Sequence, residues 1–150
     1  MPQSLASICL HLVFSTNGRA PILPEAVRDP LHRYVATVLG NLGCHALLVN
    51  SVEDHVHVLF ELARTVAVST IVEQAKKSSS KWLKTQPGIV GDFAWQSGYG
   101  VFSIGSSQVE AVRNYVAGQR EHHRTRTFQE ELRTLLEKQG VQFDERYVWD

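Results

Sequence analysis

Alternating apolar and polar side chains predict four short strands along this chain. In the first segment every even position is apolar, and the second and third are separated by a tight reversal at Glu53-Asp54. Side chains in a strand alternate between faces, so this pattern is typical of a sheet with one face packed on a core. The four segments are residues 8–14, 44–52, 54–60 and 101–104.

Apolar residues at helical spacing predict four helices, over residues 24–42, 69–83, 108–123 and 128–138. Ser69-Thr70 and Ser106-Ser107 are expected to cap the second and third, with Glu110 completing a capping box. The order β-α-β-β-α-β followed by two helices favours an α+β, ferredoxin-like fold, with the first and third strands as central neighbours. Two helices would cover one face of its antiparallel sheet and leave the other face open.

Length and composition indicate one globular domain, residues 1–150. The longest apolar runs fall short of the roughly 18 residues needed to cross a bilayer, and the N-terminus lacks the basic region of a secretory signal. Cys9 and Cys44 have no metal-ligand spacing and are too few for a disulfide framework. A cytoplasmic protein without a membrane partner is therefore expected.

The net charge is zero, but the positive residues are concentrated in one part of the chain. Residues 71–126 hold eight Lys or Arg against four Asp or Glu, whereas residues 127–150 hold three against six. Such a segment can contact DNA phosphates even in a neutral protein, although a solvated helix face has the same composition. The candidate DNA-binding residues are Lys76, Lys77, Lys81, Arg113 and Arg120.

The third predicted strand contains the sequence His55-Val56-His57. Two histidines separated by one residue project from the same face of a strand, which suits bidentate binding of a divalent metal. Two polar residues on a solvated face would give the same pattern. His11 is out of phase with Leu10 and Leu12, so it could share that face or be a structural histidine.

A second motif, Tyr115-Val116-Ala117-Gly118-Gln119, lies about sixty residues further on. Tyr115 and Gln119 are four residues apart on a predicted helix and therefore neighbours along one face. A metal held by the two histidines and the Gln119 amide oxygen would polarise a phosphodiester, and Tyr115 would attack the phosphorus. A phenol has a pKa near ~10, so it needs such activation at neutral pH.

With these motifs in order, the chain resembles the single-tyrosine transposases of the HUH (His-hydrophobic-His) endonuclease superfamily. That group includes insertion-sequence transposases acting on single-stranded DNA and relatives linked to bacterial repetitive palindromes. The resemblance extends over nearly the whole chain. The residues that carry it are 11–16, Arg19, Pro21, Ile22, 53–57, 93–103, Tyr115, Gln119, His122-His123 and Thr127-Phe128.

The resemblance implies an enzyme that recognises a DNA hairpin and nicks and rejoins single strands. Tyr115 would be the nucleophile, forming a 5′-phosphotyrosine and a free 3′-hydroxyl, while His55, His57 and Gln119 would bind Mg²⁺ or Mn²⁺. It further implies a homodimer in which the tyrosine helix of one subunit can complete the site of the other. The setting would be the nucleoid of a prokaryotic cytoplasm.

Several roles stay open on the sequence alone. His122 and His123 suit a helix end, where imidazolium complements the dipole, and phosphate contact or acid–base assistance is the alternative. Trp95, Tyr99 and Phe102 fit loop packing or stacking on unpaired bases. A domesticated protein that binds palindromic hairpins without cutting is a second hypothesis. A hydrolase using a water nucleophile has less support, because no acidic cluster accompanies the histidines.

Overall fold

A four-stranded antiparallel sheet forms the centre of the fold. The computed structural model describes residues 2–89 and 91–150. The sheet order is β2-β3-β1-β4, so the first and third strands are central neighbours, as predicted. The strands are β1 (Cys9–Ser15), β2 (His45–Ser51), β3 (His55–Glu61) and β4 (Gly100–Ile104).

Two long helices cover the first face of the sheet: α1 (Glu25–Asn41) and α2 (Val68–Leu83). The even-numbered residues of β1 point into the main apolar cluster beneath these helices. Ser69 and Thr70 do not cap α2, because the helix starts one residue earlier and its N-cap residue is Ala67. In the described part of the chain, no helix is both long and apolar enough to cross a membrane.

The second face of the sheet, predicted to be open, is also covered. It carries α3 (Val109–Ala117), α4 (Gln119–Thr125), α5 (Phe128–Lys138) and the C-terminal segment. A second apolar cluster joins α5 to this face, because the apolar stripe of α5 needs a partner. Its buried members are Val13, Phe102, Phe128, Leu132 and Leu136.

The single helix predicted over residues 108–123 is divided into α3 and α4 at Gly118. Glycine is a poor helix former, and the Asn50 side-chain amide donates hydrogen bonds to the carbonyls of Val116 (2.8 Å) and Ala117 (3.3 Å) at the end of α3. The capping box predicted with Glu110 is absent from α3. The observed box lies at α5, where Thr127 and Glu130 satisfy each other's backbone N–H groups.

The loop before β4 is held mainly by packing. Trp95 is buried edge-on against Phe14 and Phe93, and its indole N–H donates to Ser79 Oγ (3.0 Å). Phe102 is also buried, whereas Tyr99 remains 40% exposed. Of the three aromatic residues singled out in the sequence, two therefore pack in the interior, and Tyr99 alone is accessible to a base.

Lys76 ties α2 to the same loop. Its ammonium group donates to the carbonyls of Gln96 (2.8 Å) and Gly98 (2.5 Å) and lies over the rings of Phe14 and Tyr99. Burial lowers the pKa of Lys76 to about 8. The two carbonyl oxygens that accept from its ammonium group favour the charged form. The neighbouring Lys77 is exposed. Lys76 therefore has a structural task that Lys77 lacks.

We expect Lys76→Met to destabilise the fold and Lys77→Met to leave it unchanged. Removing the ammonium group leaves loop carbonyls without their donor, a loss of about 1 kcal/mol or more. For a chain of this size, each kcal/mol corresponds to roughly 2–4 °C in Tm. Thermal unfolding followed by circular dichroism would measure both variants. Equal Tm values for the pair would contradict the structural role of Lys76.

Candidate metal centre and tyrosine site

Three histidines meet on the second face of the sheet. His55 and His57 of β3 are buried and project from the same face. The ring of His57 lies 5.1 Å from that of His55 and 5.0 Å from that of His11. His11 Nε2 and His57 Nδ1 are 2.7 Å apart, because these residues are diagonal neighbours on adjacent antiparallel strands.

Acidic residues of the β2–β3 turn orient His55. Its Nδ1 lies 2.6 Å from Asp54 Oδ1, so the Nε2 atom is directed into the site. His123 of α4 lies beside the same turn, with Nε2 2.8 Å from Glu53 Oε1. A carboxylate on the far nitrogen is the usual way in which proteins fix the ring of a metal-binding histidine. The Glu53-Asp54 pair therefore supports the site as well as forming the turn.

Gln119 and Tyr115 approach the histidines from the helices. Gln119 is completely buried, and its Oε1 lies 3.1 Å from His55 Nε2. The Tyr115 ring stands edge-on to the rings of His57 (centroids 6.1 Å apart) and His11 (6.4 Å). It also stacks on His122 (4.5 Å). Tyr115 and Gln119 therefore lie at one site although the helix is divided between them at Gly118.

A carboxylate that the sequence analysis missed completes this cluster. Glu131 of α5 is only 2% exposed, and its Oε1 lies 2.5 Å from His57 Nε2 and 3.4 Å from His55 Nε2. A signal was present in the sequence, since Glu131 falls on the same stripe of α5 as Phe128 and Leu132. The sequence analysis found no acidic cluster beside the histidines, but the fold brings the carboxylate of Glu131 into contact with both of them.

The cluster strongly perturbs its ionisable groups. Burial lowers the pKa of His11 to about 3. Burial also opposes the charged form of His55, but hydrogen bonds to Asp54 and Glu131 prevail and raise its pKa to about 9. The pKa of Glu131 is held well below its usual range, because the two histidines outweigh the effect of burial. A buried ion pair between Glu131 and His55 results.

The tyrosine is a weak nucleophile in this environment. Burial, and then the negative charge of Glu131, raise the pKa of Tyr115 far above its usual range. A hydrogen bond with Gln119 opposes this effect. A phenolate at Tyr115 therefore requires a positive charge or a base near the phenol.

The donor set fits a divalent cation. His55, His57 and Glu131 offer one ligand atom each, and these atoms lie within 4.8 Å of one another. His57 Nε2 and Glu131 Oε1 are buried without a hydrogen-bond partner despite their proximity. Ligands at 2.0–2.1 Å from one octahedral cation would be about 3 Å apart. Carboxylate and amide oxygens are the ligands that suit Mg²⁺ and Mn²⁺, and imidazole is the commonest metal ligand among side chains.

A cavity of about 520 Å³ opens beside the tyrosine, between β4 and helices α3 to α5. It reaches the centre at His11, Tyr115 and Glu131, and it carries Arg126 and Lys138 on its wall. Its size is within the roughly 300–1,000 Å³ typical of ligand sites. The cavity therefore reaches Tyr115 and Glu131 at one edge of the centre, whereas His55, His57 and Gln119 lie behind its lining.

The candidate DNA-binding residues do not form one surface. Lys77 and Lys81 are exposed on α2, which covers the first face of the sheet. Arg113 and Arg120 are exposed on α3 and α4, on the second face, where Arg120 also pairs with Glu25 of α1. The positive segment of the sequence is thus divided between two layers, and DNA contact by its members stays a prediction.

Several solved structures match this fold, among them two transposase structures. A protein from Deinococcus radiodurans R1, provisionally assigned as a transposase, is 21% identical; the match covers 79% of this chain and 98% of that one, with a TM-score of 0.59. A REP-associated tyrosine transposase bound to a REP hairpin is 13% identical; the match covers 82% of this chain and 72% of that one, with a TM-score of 0.61. At these identities the likeness concerns the fold.

The sequence comparison identifies the family. No functionally curated protein matches the chain. The family model described as "Transposase IS200 like" matches residues 4–119, which include the histidines of β1 and β3, Tyr115 and Gln119. Over three quarters of the chain is matched, and the fold agrees with that of a tyrosine transposase. The chain therefore belongs to the IS200-like transposase family.

Proposed function

We propose that this protein is a metal-dependent transposase of single-stranded DNA that recognises a hairpin and cuts and rejoins DNA through Tyr115. The observation that carries the proposal is the position of Tyr115, which faces His57 and His11 while Gln119 contacts His55. A nucleophile and the candidate ligands of an activating cation thus share one buried site, in a chain of a transposase family.

The proposed transfer step exchanges one phosphoester bond for another at Tyr115. The Tyr115 oxygen forms a bond to the scissile phosphorus as the bond from phosphorus to the 3′-oxygen breaks. The phenol gives up its proton and the departing 3′-oxygen takes one up, which leaves a 5′-phosphotyrosine and a 3′-hydroxyl. Attack by a 3′-hydroxyl on this phosphotyrosine reverses the step without an external energy source.

His55, His57 and Gln119 are the proposed ligands of Mg²⁺ or Mn²⁺. When bound, such a cation would polarise the phosphodiester and favour the phenolate form of Tyr115. The raised pKa of Tyr115 supports this requirement, since the phenol is protonated at neutral pH without a neighbouring cation. The histidine rings and the Gln119 amide would fix its position.

The cavity beside Tyr115 supports a nucleic-acid substrate. It leaves room for part of a DNA strand next to the nucleophile, and Arg126 and Lys138 supply positive charge at its wall. A hairpin as the recognition element is supported by the REP-associated transposase, which was solved bound to a REP hairpin. We expect the protein to act on chromosomal DNA in the cytoplasm.

The first test of this function is a covalent adduct. Wild-type protein, a single-stranded hairpin from the DNA flanking its own gene, and Mn²⁺ or Mg²⁺ should give a protein–DNA species that survives denaturing electrophoresis. Tyr115→Phe should abolish the adduct and retain binding, because only the nucleophilic oxygen is lost. His57→Ala and added chelator should also abolish it.

Tyr147→Phe is the matched control, because Tyr147 is an exposed tyrosine of the C-terminal segment. It should form the adduct as the wild type does. An adduct that persists in Tyr115→Phe would refute the assignment of the nucleophile. Hairpin binding with no adduct in any of the proteins would instead favour the domesticated, non-cutting alternative.

Salt dependence tests the role of the lysines on α2. Replacing Lys77 and Lys81 by Ala should make the slope of log K against log salt shallower by about 1–2. Each phosphate contact that is lost lowers the number of counterions released when the DNA binds. Hairpin affinity would be measured by fluorescence anisotropy between about 50 and 200 mM salt. Arg146→Ala is the control, since Arg146 is exposed but pairs with Asp144. Equal slopes in all three proteins would remove Lys77 and Lys81 from the DNA interface.

The assembly can be tested by mixing variants. We propose a homodimer in which the Tyr115 helix of one subunit can serve the histidines of the other. Co-expressed Tyr115→Phe and His57→Ala chains should then recover part of the adduct yield, because one hybrid site holds both intact parts. Heterodimers that form but stay inactive would show that each site is built within one chain, where Tyr115 already faces its own His57.

A further inference from the structure

We propose that Glu131 is an anionic fourth ligand of the divalent cation, so that the protein binds the metal before DNA arrives. The inference rests on the proposed function, because it concerns the same centre. It adds one residue of α5 to the proposed metal ligands. The ligand set suggested by the sequence was neutral: two imidazoles and an amide. That set predicts weak Mg²⁺ binding until a phosphate supplies oxygens.

The geometry of α5 carries the proposal. Glu131 Oε1 lies 2.5 Å from His57 Nε2 and 3.4 Å from His55 Nε2, and Gln119 Oε1 lies 3.1 Å from the same His55 atom. Four donor atoms from three separate elements thus converge on one point. Their separations bracket the roughly 3 Å expected between adjacent ligands of a small divalent cation.

The unmade hydrogen bonds at this point are a second observation. Glu131 Oε1 and His57 Nε2 are almost fully buried and lie 2.5 Å apart, in a contact that lacks the geometry of a hydrogen bond. Buried polar atoms are nearly always satisfied in folded proteins. Two buried atoms that touch without a hydrogen bond, beside two further ligand atoms, fit a site where a cation would replace their direct contact.

Glu131 lies outside the part of the chain that matches the family model. The family match ends at residue 119, whereas Glu131 lies in α5 beyond it. The residue also interrupts the apolar stripe that docks α5 on the sheet. Burying a carboxylate at such a position is costly unless its charge is compensated.

A carboxylate changes what the centre can bind. It supplies a full negative charge and a hard oxygen, the ligand type preferred by Mg²⁺ and well accepted by Mn²⁺. With one carboxylate and three neutral ligands the bound centre keeps a net positive charge. It can therefore hold a cation in the absence of DNA and still attract a phosphate.

The test measures metal binding by DNA-free protein, independently of cleavage. Mn²⁺ titrations followed by electron paramagnetic resonance and calorimetry would give the Kd of the wild type and of Glu131→Gln. Glu131→Gln should raise the Kd by at least about tenfold, since even second-shell partners contribute about 10–100-fold. Glu137→Gln is the matched control: it removes a carboxylate from an exposed position on the same helix and should leave the Kd unchanged.

The outcomes separate this inference from the function on which it rests. Equal Kd values for wild type and Glu131→Gln, or no Mn²⁺ binding without DNA, would overturn the role of Glu131. An adduct formed by the wild type under the same conditions would keep the transposase proposal intact. If Glu131→Gln does not fold, Glu131→Asp takes its place: withdrawing the carboxylate by one methylene should raise the Kd several-fold, and an unchanged Kd would overturn the inference.

Discussion

The burial of one carboxylate against two histidines is the interaction on which the second half of this structure depends. Glu131 lies on the docking face of α5, so the helix can pack on the sheet only if that charge is compensated. His55 and His57 provide the compensation, and the surrounding apolar side chains of α5 provide the driving force. Removing one member of such a buried group typically costs about 3–5 kcal/mol. The packing of α5 and the chemistry of the centre are therefore inseparable.

The site is assembled from residues far apart in the sequence. The first and third strands contribute His11 and His57, and the last helix contributes Glu131. These residues meet only when the sheet has formed and α5 has packed on it. The order of the strands brings His11 beside His57. Asn50 of β2 fixes the end of α3 by binding its last carbonyls, and this in turn positions the tyrosine. Each catalytic candidate is thus held by a partner from another element.

Much of this arrangement could be predicted from the sequence, because it follows from local periodicity. The alternation in β1 and β3 placed the histidines on one face, and the bounds of α5 were predicted correctly from its apolar stripe. Glu131 was missed because two glutamates at the start of a helix look alike in the sequence. Glu130 is the exposed member and forms the capping box, whereas Glu131 points inward. The apolar stripe of α5 sets Glu131 apart from Glu130, but only the contacts of α5 with the sheet show that its carboxylate meets the histidines. The break at Gly118 was missed for the same reason, since it depends on Asn50 from a distant strand.

The contact between His11 and His57 has a consequence for the placement of protons. If His57 offers Nε2 to a cation, its proton must reside on Nδ1, and that N–H then donates to His11 Nε2 at 2.7 Å. His11 must accept there, so it has to be neutral with its own proton on Nδ1, and its pKa of about 3 ensures this at physiological pH. The tautomers of both rings are thereby fixed as a pair. Protonation of His11, or a side chain at position 11 that can only donate, would move the His57 proton to Nε2 and block its proposed ligand role, although every candidate ligand atom would still be present.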